Sequence, residues 1–221
     1  MAACCLTMAI FQVEMHVHNE KPMTSFSSND QYFQQQFNNQ IEADALFNQI
    51  EFEDCQFVDC NFSQTEFKHC KFVNCEFVRC NLSLTKIPLS RFTEVTFREC
   101  KMVGIDWTRA QWSSYQFHSE LKFYKCILND SSFFGLELHE VVMEECKAHD
   151  VDFRDTKLNG ASLTYTDFRN SLFGRTNLSE ADLSEATNYS IDVLENNLNK
   201  ATFSRYEALS LLDSLGIKVV D

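Results

Sequence analysis

An apolar residue recurs at nearly every fifth position between Phe52 and Phe203. Ala148 and Asn188 are the small or polar exceptions, and one residue is added between Phe117 and Phe123. This period fits neither an amphipathic helix nor an alternating strand, and fixed self-similarity is typical of a solenoid. The repeated positions are Phe52, Phe57, Phe62, Phe67, Phe72, Phe77, Leu82, Ile87, Phe92, Phe97, Met102, Trp107, Trp112 and Phe117, then Phe123, Leu128, Phe133, Leu138, Met143, Ala148, Phe153, Leu158, Leu163, Phe168, Phe173, Leu178, Leu183, Asn188, Val193, Leu198 and Phe203.

The position two residues before each of these beat residues is also restricted, mostly to Cys, Ser, Thr, Ala and Val. Residues two apart in an extended segment point to the same side, so both positions are predicted to face inward. Each five-residue unit then forms one short strand and one corner. Steps of 20 residues sort the beat into four columns, in which Phe133 is expected above Trp112 and Leu138 above Phe117. About 7.5 coils spaced by roughly 4.8 Å would make a rod of about 36 Å.

The net charge of −13 is unevenly distributed along the 221 residues. Residues 1–66 carry 10 acids and one base, residues 67–125 carry five acids and 10 bases, and residues 126–221 carry 17 acids and eight bases. The segments therefore carry −9, +5 and −9. This distribution fits either a self-repelling surface or an acidic surface that meets a basic partner, and it argues against direct nucleic-acid binding.

The composition argues against a membrane protein. No stretch approaches the roughly 18 apolar residues of a membrane span. Residues 1–17 have no positively charged start and make a poor signal peptide, so a cytoplasmic location is expected. Residues 1–25 are interpreted as a disordered or misassigned N-terminal segment, and residues 26–46 as an N-terminal cap that covers the exposed strand edge.

The cysteines and histidines do not indicate catalysis. Eight of the ten cysteines lie at the small inward position, where a free thiol behaves as a buried hydrophobe. Their spacing of five differs from the close pairs of zinc sites. The chain has no phosphate-binding glycine loop and no nucleophile elbow. We therefore predict a non-enzyme without catalytic residues, bound metal or cofactor.

The beat ends at Phe203, and a different pattern follows. Leu209, Leu212 and Leu215 have helical spacing, and Gly216 is a typical C-terminal stop. We predict an α-helix followed by a short extended tail within residues 205–221.

Two five-residue units carry a resemblance to a known family. Cys60-Asn61-Phe62-Ser63-Gln64 and Ala181-Asp182-Leu183-Ser184-Glu185 resemble the A(D/N)LXX unit of pentapeptide-repeat proteins. The resemblance implies an all-β fold, a right-handed quadrilateral β-helix, which is expected over residues 47–204.

The segment from Tyr206 to Val220 is similar to the terminal helix and tail of the quinolone-resistance (Qnr) and microcin-resistance branch of that family. In that branch the helix mediates a head-to-head homodimer; a plain hydrophobic cap is the alternative. The dimer residues that the resemblance implies are Tyr206, Leu209, Leu212, Leu215 and Ile217.

The resemblance to the Qnr branch implies a DNA-mimicking homodimer. It would bind DNA gyrase or topoisomerase IV and modulate or protect the enzyme from quinolones or peptide toxins. The branch often carries longer loops than the bulge-sized addition expected here at His118, Ser119, Glu120, Leu121 and Lys122. The alternative is a rigid scaffold or adaptor with a non-topoisomerase partner, which the basic middle third fits. The acidic residues expected to face the topoisomerase are Glu144, Glu145, Asp150, Asp152, Asp155, Glu180, Asp182 and Glu185.

Overall fold

The computed structural model describes residues 26–112 and 121–220 of the chain. They form a right-handed quadrilateral β-helix of about eight turns with a short helix at its C-terminal end, which confirms the predicted fold. The predicted N-terminal segment 1–25 lies outside the described residues.

All paired strands are parallel, and each is only two to four residues long. The strands are β1 (Gln31–Phe33), β2 (Gln36–Asn38), β3 (Leu46–Asn48), β4 (Glu51–Glu53), β5 (Gln56–Val58), β6 (Glu66–Lys68), β7 (Lys71–Val73), β8 (Glu76–Val78), β9 (Arg91–Thr93), β10 (Val95–Arg98), β11 (Leu121–Tyr124), β12 (Val142–Glu144), β13 (Asp182–Leu183) and β14 (Thr202–Phe203). Two 3-10 helices, η1 (Trp107–Arg109) and η2 (Glu207–Leu215), complete the elements.

The rod has four faces, which we number by their inward residues. Phe52 belongs to face 1, Phe57 to face 2, Phe62 to face 3 and Phe67 to face 4. Face 1 carries the sheet β1-β4-β7-β9, and face 2 carries the sheet β12-β11-β10-β8-β5-β2. Within a face the rings of successive coils stack, as Phe57 does on Phe77 with centroids 4.5 Å apart and planes 10° apart. This in-register stacking produces a continuous apolar core.

The corners explain why the chain needs so few glycines. The second residue after each beat residue adopts the left-handed conformation in most coils, as Asp54 does with φ 54° and Arg79 with φ 51°. That conformation is unfavourable for residues with a Cβ. It is offset because the corner N–H joins the ladder: Asp54 donates to the carbonyl of Val73 at 3.0 Å.

The small inward residues are hydrogen-bond donors as well as spacers. Their side chains donate to the carbonyl of a beat residue one coil below; Thr85 Oγ1, for example, lies 2.9 Å from the Phe62 oxygen. This hydrogen bond explains why Cys, Ser and Thr are frequent at this position. If only a small side chain were required, Ala would serve equally well. The donors include Cys55, Cys60, Thr65, Cys70, Cys75, Cys80, Thr85, Ser90, Cys100, Cys126, Ser131, Cys146, Thr156, Thr166, Ser171 and Thr176.

The predicted columns are wrong beyond Trp112. Strand β10 pairs with β11 so that Phe97 lies opposite Phe123, and Phe133 stacks on Trp107 with centroids 5.8 Å apart. Phe123 thus follows Phe97 by 26 residues instead of 20. The insertion before Phe123 is therefore one whole five-residue unit plus one residue, whereas the sequence pattern predicted only one added residue. Phe117, which the sequence pattern assigned to the repeated position, lies outside the described residues. An inserted unit of five keeps the sequence period intact, so the pattern alone could not reveal it.

The ladder begins earlier than predicted. Strands β1 and β2, within the segment expected to be a separate cap, pair with β4 and β5 and place Tyr32 on Phe52 and Phe37 on Phe57. Capping is performed by Phe26, which is buried and makes an edge contact with the Phe37 ring at a centroid distance of 4.9 Å. The buried Glu42 interrupts the apolar beat here and hid this first coil in the sequence.

The terminal helix is present, but it differs in type from the prediction. Helix η2 is a 3-10 helix rather than an α-helix. It ends at Gly216, whose left-handed backbone (φ 67°) lets its N–H bond to the Asp213 carbonyl at 3.0 Å.

Candidate interaction surfaces

The 3-10 geometry sorts helix η2 into three rows, because residues three apart eclipse each other in such a helix. Ala208, Leu211 and Ser214 form the half-buried inner row, and Leu211 packs against the core. Ser214 Oγ also accepts a hydrogen bond from the Val193 N–H at 3.3 Å, which fastens the helix to the last coil. The polar row consists of Glu207, Ser210 and Asp213.

The third row contains four of the five residues predicted to form the dimer interface. Tyr206 is 79% exposed, Leu209 44% and Leu215 47%, whereas Leu212 is half-buried. Ile217, the fifth predicted residue, follows in the tail and is also exposed. Large apolar side chains concentrated at one end of the rod are typical of an association surface.

The predicted acidic residues fall on two opposite sides of the rod. Glu144 and Asp182 lie on face 2, with Glu145 and Glu185 at one of its corners and Glu180 at the other. The remaining three follow face 4, where Asp152 lies in the strand position. Asp150 and Asp155 occupy the two corners of that face. One partner surface can therefore contact only one of the two groups at a time.

Ion pairs neutralise half of the predicted acidic residues. The salt bridges are Asp152–Arg154 (2.7 Å), Asp155–Arg175 (2.6 Å), Glu180–Lys200 (2.9 Å) and Glu145–Lys125 (3.5 Å). The hydrogen bond from Arg154 holds the pKa of the Asp152 carboxyl below its ordinary value. Arg175 lowers the pKa of Asp155 in the same way.

Three acids on the face 2 side form no ion pair with any of the described residues. Glu144 accepts a hydrogen bond from Ser162 Oγ at 2.7 Å, and Glu185 accepts one from Ser204 Oγ at 2.8 Å. Asp182 Oδ1 accepts the Ser184 N–H at 2.8 Å. Neutral donors orient a carboxylate without cancelling its charge. This group, which we call the face 2 acids, lies in the last third of the rod.

The predicted bulge is only partly visible. His118, Ser119 and Glu120 lie outside the described residues. Leu121 and Lys122 do not form a bulge: they belong to β11, where Leu121 is fully buried and Lys122 is exposed. Their alternation is that of an ordinary strand, because the chain has already rejoined face 2 at Leu121.

The eight described cysteines are all free and buried in the inward position. Five of them form one column across the insertion: Cys60, Cys80, Cys100, Cys126 and Cys146. The neighbouring Cys100 thiol and burial raise the pKa of Cys80 to about 12. A thiol with so high a pKa is a poor nucleophile and a poor metal ligand at neutral pH. The sequence columns missed the contact between Cys100 and Cys126 because they misplaced the insertion.

The described residues contain neither a metal-binding cluster nor a membrane-spanning helix. Within residues 26–112 and 121–220, no three His, Cys, Asp or Glu side chains are grouped so that they could hold a metal ion. None of the helices in those ranges has the length and apolar character needed to cross a membrane.

A stacked four-sided core with charged faces and an apolar end defines a β-helical protein. A family model for the pentapeptide repeat region matches residues 50–121 and 118–183. The chain therefore belongs to the pentapeptide-repeat family.

Several solved structures are similar to this chain. A trypsin-treated form of QnrB1, described as a plasmid-mediated fluoroquinolone resistance protein, is 23% identical over 87% of this chain and 91% of its own, with a TM-score of 0.57. A second trypsin-treated form is 20% identical, covers 88% of this chain and 93% of its own, and has a TM-score of 0.48. HetL, a pentapeptide-repeat protein involved in heterocyst differentiation regulation in the cyanobacterium Nostoc, is 16% identical over 78% of this chain and 85% of its own (TM-score 0.36). No curated protein sequence matches significantly.

Proposed function

We propose that this pentapeptide-repeat protein is a cytoplasmic homodimer that binds a type II topoisomerase, DNA gyrase or topoisomerase IV. It modulates inhibition of that enzyme by quinolones or peptide toxins. The rod acts by binding alone, as a partial mimic of duplex DNA, and needs no cofactor. The fold that it shares with QnrB1, a fluoroquinolone resistance protein, supports this function.

The observation that carries the proposal is the pairing of two surfaces at the same end of the rod. The exposed row of η2 offers a self-complementary apolar surface for a two-fold dimer. The face 2 acids lie close to that end, so a dimer would bring two copies of them towards its centre. Together they would present a larger anionic surface to a basic groove than one chain can.

The test is supercoiling by purified gyrase, and decatenation by topoisomerase IV, with and without a fluoroquinolone. We expect the protein to inhibit or protect the enzyme at micromolar concentration. A double variant, Asp182→Lys with Glu185→Lys, should abolish the effect, because it reverses charges that have no cationic partner among the described residues. The matched control is Asp152→Lys on the opposite face. Absence of any effect of the wild-type protein, or equal loss in both variants, would refute the proposal.

A second function is favoured by the surface charge pattern. Asp59, Arg79, Glu99, Lys125 and Glu145 follow one another along the corner between faces 2 and 3, and they alternate in sign. An alternating ladder of this kind suits a rigid adaptor with a mixed-charge partner better than it suits a DNA mimic. Affinity capture that recovers another protein but no topoisomerase would support this adaptor function.

A further inference from the structure

Face 4 carries exposed apolar side chains in alternate coils. Its seven regular rows begin, in order along the rod, with Leu46, Glu66, Lys86, Asp106, Ser132, Asp152 and Leu172. Large apolar side chains are exposed in rows 1, 3, 5 and 7: Leu46 (66%), Leu89 (50%), Phe134 (45%) and Leu172 (48%). Leu84, 53% exposed, stands at the other corner of row 3.

The rows between these apolar bands are charged, and their charges are largely paired within the face. Row 4 holds the pair Asp106–Arg109, with atoms 3.4 Å apart, and row 6 holds Asp152–Arg154. The Arg154 guanidinium also lies over the Phe134 ring, 5.7 Å from its centroid. Because these charges are already paired, a partner that covers rows 4 and 6 has less charge desolvation to compensate. The favourable contacts of that partner would then be made with the apolar rows between them.

A groove runs along the first half of this face. It encloses about 940 Å³ and is lined by Leu84, Pro88 and Leu89 on one coil and by Gly104 and Arg109 on the next. Gly104 lacks the side chain that would fill this space, and Leu84 leans over it, 2.7 Å from where a Cβ would stand. The face is therefore concave where its apolar rim residues are closest together.

The spacing of the apolar rows matches an α-helix that lies along the rod. Strands in neighbouring coils are about 4.8 Å apart, so alternate rows repeat every 9.6 Å or so. Two turns of an α-helix, about seven residues, advance roughly 10.5 Å. A helix with an apolar residue at every seventh position would thus place one side chain against each apolar row. Rows 1 to 7 span about 29 Å, the length of a helix of about 20 residues.

The charges on face 4 give such a helix a polarity. Rows 2 to 4 contain Glu66 and Asp106 with Lys68, Lys86 and Arg109, a net charge of +1. Rows 5 to 7 and their corner with face 3 carry a net charge of −2. This part of the face contains four acids and two bases, namely Asp130, Asp150, Asp152, Asp155, Arg154 and Arg175. We propose that face 4 docks an amphipathic α-helix of a partner protein, which is apolar at heptad spacing and basic over rows 5 to 7. This surface is distinct from the face 2 acids and does not depend on topoisomerase binding.

The test uses a designed peptide, because the partner is unidentified. The probe is a fluorescent, alanine-based helical peptide of about 20 residues. It has leucine at every seventh position, lysines at one end and glutamates at the other. Two control peptides have the same composition in scrambled order, or glutamate in place of every lysine. Fluorescence anisotropy should give about tenfold tighter binding of the probe than of either control.

Protein variants locate the binding surface. The triple change Leu89→Ser, Phe134→Ser and Leu172→Ser removes the exposed apolar side chains of rows 3, 5 and 7. Because these positions are exposed, the fold and its circular dichroism spectrum should remain unchanged. Probe binding should fall by about tenfold or more. The matched control is Tyr165→Ser, 64% exposed at a corner of face 2, which should bind like the wild type. Equal binding of all peptides, unchanged binding by the triple variant, or tighter binding of a polyproline peptide would overturn the proposal.

Discussion

The sharpest stability prediction concerns the hydroxyl group of Thr166, which is fully buried in the core. Its Oγ1 donates to the Met143 carbonyl at 2.8 Å and accepts the Cys146 N–H at 3.1 Å. Thr166→Val keeps the shape of the side chain but leaves one buried acceptor and one buried donor without this partner. Each orphaned group costs about 1–3 kcal/mol, and the added methyl group returns about 0.8 kcal/mol. For the two orphaned groups together, we expect a net loss of about 1–5 kcal/mol.

Thr156 provides the matched comparison half a coil earlier in the solenoid. Its hydroxyl donates to the Phe133 carbonyl at 2.9 Å, and among the described residues no backbone N–H donates to it. Thr156→Val therefore orphans one backbone group instead of two, and it should cost about 1–3 kcal/mol less than Thr166→Val. Thr166→Ser keeps the hydroxyl and removes the methyl group, so it measures the packing contribution of that methyl separately.

Urea unfolding followed by far-ultraviolet circular dichroism measures these differences. For a chain of this size, 1 kcal/mol corresponds to about 2–4 °C in melting temperature. Equal losses for the two valine variants, or a Thr166→Val protein as stable as the wild type, would refute the reasoning. The second result would mean that the hydroxyl of Thr166 adds no stability and that its side chain serves only as a spacer.

Three further predictions concern other parts of the molecule. Leu209→Glu should weaken a two-fold dimer about a thousandfold, because roughly 2 kcal/mol is lost in each of two symmetric contacts; light scattering should show a monomer, whereas Ser210→Glu stays dimeric. The eight buried cysteines should react with a thiol reagent at pH 8 only after unfolding, since burial raises the pKa of Cys75 to about 12; fast reaction of any of the eight would contradict this. Arg154→Ala should raise the pKa of Asp152, measured by NMR. The stability that Arg154 adds is present above the ordinary aspartate pKa and is lost as the pH falls through the lower folded value; a difference that persists at pH 2 would contradict it.

The repeat and its inward positions could be predicted because the same positions of each five-residue unit are buried throughout the rod. Phe57 and Phe77 occupy equivalent places, so one period describes both. The same regularity hid the insertion before Phe123, since adding five residues leaves the period unchanged. Only the pairing of Phe97 with Phe123 distinguishes an inserted unit from a one-residue slip. For the same reason the sequence could not place Cys126 next to Cys100.

The candidate surfaces were less predictable, because they depend on contacts between coils. The spacing of Leu209, Leu212 and Leu215 fits an α-helix and a 3-10 helix alike, but only the latter aligns all three in one straight row. Asp155 was expected to face the topoisomerase, but its partner Arg175 lies 20 residues away, one coil along the rod. Column arithmetic predicts that this pair is adjacent, but not that its side chains meet.

The ion pairs limit how closely the rod can imitate DNA. Duplex DNA presents about one negative charge per 1.7 Å of axis, or roughly three per 4.8 Å coil. The face 2 acids supply Glu144, Asp182 and Glu185 over three coils, about one per coil. A topoisomerase complex held by these acids alone would therefore release fewer counterions than DNA does, and its affinity would depend less steeply on salt concentration. A salt dependence as steep as that of DNA would require Asp152, Asp155 and Glu180 to exchange their intramolecular arginine or lysine partners for basic residues of the enzyme.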